Sequence, residues 1–144
     1  MAIADQLSGD HPLVNYALQF TERGGTLWLT HVESQATFER YMEVISKIPS
    51  IDTEEVRKSV REQLLKEPQD YVESCMEVLR QEGTPVRVEP LIEFGHYLSE
   101  YKRLIEQQNV DLLVLNTKDE DQLAMQGMAY ALAVELRQTP LLML

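Results

Sequence analysis

Residues 111–117, Asp-Leu-Leu-Val-Leu-Asn-Thr, constrain the fold more than any other stretch of the chain. The run is apolar without alternation, so a strand here has to be covered on both faces. Strands of that kind belong to parallel sheets, whose neighbours are joined by long, usually helical crossovers. The rest of the chain supplies such crossovers.

Residues 2–5 (AIAD) form a short apolar strand that ends in Asp and begins almost at the first residue. Asp10 offers a helix N-cap and Pro12 suits the first turn. Leu13, Val14, Ala17 and Leu18 recur at helical spacing, and Gly24-Gly25 ends that helix. Residues 26–32 (TLWLTHV) read as the second strand, favoured by Thr30 and Val32. The segment 34–83 is mostly helical. Ser34 caps a helix to about Lys47, and Pro49-Ser50 breaks it. Asp52 or Thr53 caps the next, where Glu54 and Glu55 complement the positive end of the helix dipole. Val56, Val60 and Leu64 mark one face. Pro68 is expected to kink this helix and start another, carrying the stripe Val72, Cys75, Met76 and Leu79 as far as Gly83. In 85–95, Val86 and Val88 alternate and Pro90 points to an edge strand. Leu98, Tyr101, Leu104 and Ile105 share a helical face in 97–108. Residues 121–138 are helical, and 140–144 form a last strand. The sum is β-α-β-α-β-α-β-α-β, an α/β chain with a parallel sheet, right-handed crossovers and helices on both faces.

The length of 144 residues fits one domain, spanning 1–144. With 24 acidic against 13 basic residues the net charge is −11. Nucleic acid and acidic membrane surfaces are disfavoured, because Lys and Arg are scattered singly and form no basic patch. No apolar run reaches the roughly 18 residues needed to span a bilayer. The N-terminus has no secretory signal pattern. The single cysteine, Cys75, excludes an internal disulfide and suits a reducing, cytoplasmic setting.

Four stretches together resemble the universal stress protein family: AIAD at 2–5, TLWLTHV at 26–32, FGHYLSEYKRLIEQQNVDLLVLNT at 94–117 and GMAYALAVELRQTPLLML at 127–144. The resemblance covers nearly the whole chain. It implies a Rossmann-like, open five-stranded parallel sheet in the order 3-2-1-4-5, with its switch point between strands one and four. Ligands of open α/β sheets bind at the carboxyl edge there. In this chain that edge is expected to hold Asp5, Val32, Gly95, Asn116 and the loop that follows. Asp5 matches a family residue near the adenosine half of the ligand, and Val32 matches one that touches the base.

The loop departs from the family's ATP-binding pattern. That pattern is a Gly, two residues, a Gly, nine residues, then Gly-Ser or Gly-Thr, whose glycines admit backbone N–H groups to phosphate. Here Asn116 and Asp119 stand where the two glycines are expected. Gly127 matches the later Gly, Met128 replaces the hydroxyl residue, and the span from Asp119 to Gly127 is short by two residues. The run Asp119-Glu120-Asp121 adds like charge beside any triphosphate, at about 1 kcal/mol per pair of unit charges 4 Å apart in water and more in a dry cleft. The same run also serves as a solvated, capped N-terminal turn. Either way, ATP is not expected to bind in the family's usual manner.

His11, His31 and His96 are expected near the same edge, but no tight ligand spacing joins them, and no metal is expected. Cys75 sits on an apolar stripe without a neighbouring base and reads as an inert core thiol. No Gly-x-Ser-x-Gly turn is present. Tyr97 and Tyr101 are expected to pack. The resemblance therefore implies a non-enzymatic regulatory or interaction domain with no cofactor. It also implies a homodimer through 140–144, since the last strand is an apolar sheet edge. Such domains occur as cytoplasmic tails of cation/proton antiporters, and the abrupt start inside strand one fits a domain of a larger protein. The alternative is an adenine-nucleotide-binding stress protein with an unorthodox phosphate loop built on Asp5, Val32 and Gly127.

Overall fold

The structure is a computed structural model that describes residues 1–3, 10–116 and 128–144. Ten elements follow in chain order: β1 (Ala2–Ile3), α1 (His11–Gln19), β2 (Thr26–Ser34), α2 (Gln35–Ile45), α3 (Thr53–Gln81), β3 (Arg87–Gly95), α4 (Tyr97–Gln107), β4 (Leu113–Leu115), α5 (Met128–Glu135) and β5 (Leu141–Met143). The five strands form one sheet, all neighbours parallel, in the order β3-β2-β1-β4-β5. This is the α/β architecture expected from the alternation of segments, with β1 between β2 and β4 at the switch point.

Capping chemistry sets the helix ends. The Asp10 carboxylate accepts from the Leu13 N–H at 3.1 Å, with Pro12 in the first turn of α1. Ser34 Oγ accepts from Thr37 N–H at 3.1 Å. Asp52 accepts from both Glu54 and Glu55 N–H groups. At the end of α3, Gly83 takes φ +67° while its N–H reaches Arg80 O and the Thr84 N–H reaches Leu79 O. This is the double bond of a Schellman cap, which needs a left-handed residue where glycine costs least. Asn109 (φ 48°) repeats the arrangement after α4, with Val110 N–H reaching Ile105 O.

Two cores flank the sheet. Ala2, Leu27, Leu29, Val88 and Val114 face α1 and α3, burying Leu13, Val14, Ala17, Val72 and Leu79. Ile3, Val32, Leu113 and Leu115 face α4 and α5, burying Tyr101, Leu104, Ile105 and Leu132. The short central strand β1 is fully buried, as a strand covered on both sides must be. Its pairing extends backwards through the Met1 amine, which donates to Leu112 O at 2.8 Å.

Several expectations fail: α1 ends at Gln19 with Phe20 as its C-cap rather than at Gly24-Gly25, β2 runs on from Val32 to Ser34, and α5 stops at Glu135 rather than 138. Pro68 does not start a new helix, because α3 runs 29 residues through it. Proline removes one backbone donor, but the ring is itself buried in register with Val72 and Leu79, so packing carries the helix across the gap. Pro90 behaves as expected: it is exposed on β3, an edge strand of the sheet.

Candidate functional site

The carboxyl edge of the sheet is where the fold would place a ligand. Of the residues expected there, Asp5, Asp119 and Gly127 lie outside the described residues. Met128 opens α5, and its side chain lies outside them too. Val32, Gly95 and Asn116 fall near the ends of β2, β3 and β4, as the spacing required. Each of the three is engaged within the chain.

Val32 is fully buried, with its side chain in the core beneath α4. Its N–H donates to the Tyr101 hydroxyl at 3.1 Å. Tyr101 is also fully buried, so a buried donor meets a buried acceptor carried in from the helix. Tyr101 was expected only to pack, and nothing in its own neighbourhood forecasts a partner 69 residues away.

Gly95 closes β3. A Cβ built there would overlap the Glu100 side chain, with Glu100 Cδ at 2.9 Å. The space that a missing side chain would offer a ligand is filled by that carboxylate. Glu100 is held by Arg103 Nε at 2.7 Å, and the same guanidinium bonds Glu93 and Gln107. The Glu100 hydrogen bond, followed by the nearby negative charge of Glu93 and Glu100, shifts the Arg103 pKa upward against its own desolvation.

Asn116 Nδ2 donates to the Asp10 carboxylate, whose other oxygen caps α1. The first residue of the would-be phosphate loop is therefore tied across the switch point to the N-terminus of α1. Next to this bridge, Tyr71 from α3 approaches His11, hydroxyl to Nδ1 at 3.4 Å, with the rings 5.6 Å apart. Burial, reinforced by a hydrogen bond to Cys75, pushes the Tyr71 phenol above its ordinary range. Burial likewise raises the Cys75 thiol, against the lowering effect of the Tyr71 bond. A thiol in that state is a weak nucleophile.

The histidines have separate surroundings. His11 meets Tyr71, and His96 is an exposed N-cap residue whose side chain makes no cap bond. His31 is buried, with Nε2 3.3 Å from Glu33 Oε2. Among the described residues, His31 Nδ1 and Thr30 Oγ1 are buried without a hydrogen-bond partner. They belong to consecutive residues of β2 and so point to opposite faces of the sheet. Among the described residues no group of three His, Cys, Asp or Glu side chains could hold a metal ion, and no helix is long and apolar enough to cross a membrane.

These features define a Rossmann-like α/β domain whose carboxyl-edge positions are occupied, where described, by its own side chains. Among solved structures, the crystal structure of a hypothetical protein, PH0823, is similar, with a TM-score of 0.63 at 19% identity over 99% of this chain and 92% of that one. At that identity the likeness establishes the fold alone. No protein-family model matches the chain, and no curated protein does.

Proposed function

We propose that this chain is a non-enzymatic regulatory or interaction domain of the universal stress protein type that works without bound ATP. The observation that carries the reading is the self-occupied carboxyl edge. The Val32 N–H is satisfied by Tyr101, the space at Gly95 is filled by Glu100, and Asn116 is held by Asp10. A nucleotide would have to displace these contacts without the glycines that let backbone approach phosphate. The acidic run Asp119-Glu120-Asp121 adds an electrostatic cost in the sequence itself.

The domain acts by contact rather than chemistry, as a cytoplasmic module alone or within a larger protein such as a cation/proton antiporter. A homodimer through residues 140–144 fits this role. β5 is an edge strand with Met143 exposed, and an unpaired apolar edge is a template for a second copy.

Isothermal titration of the purified chain with Mg·ATP, ADP and AMP near neutral pH tests the reading. No heat with any of the three is the expected result. Micromolar ATP binding would overturn it, and AMP binding without ATP binding would establish the alternative of a surviving adenosine slot.

A further inference from the structure

Among the described residues, half of the large apolar side chains left exposed gather around one edge of the sheet. Tyr16 and Phe20 stand on α1, Tyr130 and Val134 on α5, and Met143 on β5 between the two helices. Phe20 keeps the register of α1, since its N–H reaches Tyr16 O. Internal contacts fix which way these flanks turn. α1 meets α3 through the His11 and Tyr71 rings. At about 100° per residue, Tyr16 and Phe20 lie about 140° and 180° round the helix from His11. α5 meets α4 through Glu135 and Lys102, 3.1 Å apart. Tyr130 and Val134 lie about 140° and 100° from Glu135. Each helix thus turns these side chains away from its inner neighbour, which is the β5 side of the sheet.

The strand between them has an open ladder. Pro140 O accepts from Leu113 N–H and Leu144 N–H donates to Leu115 O, both at 2.9 Å. Alternate residues of a parallel strand face the neighbour, so the N–H and C=O groups of Leu141 and Met143 turn to the free edge. Charge is nearly absent here. Glu135 is the one Asp, Glu, Lys or Arg in residues 11–20, 128–135 and 141–143, in a chain where such residues make up 26%. Charge depletion with exposed aromatics and methionine is the composition of an interface core. Two chains of net charge −11 need such a face to approach each other.

We propose that the flanks of α1 and α5 hold a second copy of this chain, in a three-layered joint of which β5 is only the middle layer. The inference rests on the β5 dimer proposed above and moves its main contacts from strand to helices. An antiparallel pair centred on Leu142 lets Leu141 exchange both backbone bonds with Met143 of the partner subunit, and Met143 with Leu141 of the partner subunit. Strands of three residues are marginal as a pair alone. A twofold axis through that centre, normal to the sheet, sets α1 against α1 on one face and α5 against α5 on the other. Tyr16 and Phe20 then cover one side of the strand pair, and Tyr130 and Val134 the other.

Sedimentation equilibrium of the full 144-residue chain tests this. Phe20→Glu and Tyr130→Glu are each expected to raise the dimer Kd at least about tenfold, as an interface anchor does. Met143→Lys should do the same. Tyr41→Glu, at an aromatic of α2 that is as exposed as Phe20, should change it less than about twofold. Matching far-UV circular dichroism shows that the variants are folded. Dissociation by Met143→Lys but not by the two helix variants would overturn the helix contacts and leave the strand dimer standing. Equal loss with Tyr41→Glu would overturn them too. A wild-type chain that stays monomeric at every concentration, or a dimer indifferent to Met143→Lys, would overturn both readings.

Discussion

At the residue scale, the account rests on side chains that take up positions a ligand would need. Tyr101→Phe removes the acceptor for a buried N–H while leaving the ring in place. The orphaned donor should cost about 1–3 kcal/mol, read as a lower urea midpoint at unchanged slope. Asp10→Ala removes both a helix cap and the bond from Asn116, whereas Ser34→Ala removes a cap alone. Losing a cap costs about 1 kcal/mol, so Asp10→Ala should be the more destabilising of the two in parallel denaturation curves. Equal losses would mean that the Asn116 bridge contributes nothing. The sequence disclosed half of this pairing. Asp10 is legible as a cap because capping is local, three residues from donor to acceptor. Its bond to Asn116 spans 106 residues and becomes visible only when β4 and α1 meet at the switch point. The Tyr101 contact with Val32 escaped sequence reading for the same reason.

At the element scale, prolines divide by position. Pro90 was legible because a missing N–H is tolerated where a strand faces solvent, and β3 is an edge strand. Pro68 misled because local propensity argues for a break, while burial in register with Val72 and Leu79 overrides it. The same helix is unevenly anchored. Its buried residues, Pro68, Val72 and Leu79, all lie in the second half, and the first half is held to its surroundings by contacts such as Arg57 with Glu39 and Arg61 over the Phe94 ring. Segments with few buried apolar contacts open first. Hydrogen exchange should therefore be faster across 53–66 than across 69–81, and equal protection along the helix would contradict this picture. The order of elements made it legible that Val32, Gly95 and Asn116 lie toward the carboxyl edge: Val32 is two residues before the end of β2, Gly95 closes β3 and Asn116 follows β4. What occupies them was not legible, because that depends on which helix lies over each strand.

At the scale of the whole molecule, stability should depend on pH through the buried α-amine of Met1. Desolvation lowers it from 8.0 to about 6, with Asp111 opposing. Between those values the unfolded chain binds the extra proton and the folded chain does not. Stability therefore rises with pH from 6 to 8 and is penalised by about 2–3 kcal/mol below that window. Urea midpoints at pH 6 and 8 for the chain beginning at Met1 should show the rise, and acetylating the α-amine should flatten it. An unchanged slope after acetylation would assign the effect to other groups. The central claim concerns the carboxyl edge, and amide-resolved NMR of the 15N-labelled chain during titration with Mg·ATP tests it most directly. The account predicts that the Val32, Gly95 and Asn116 amides stay unshifted to millimolar nucleotide. Saturable shifts at those three amides would contradict it.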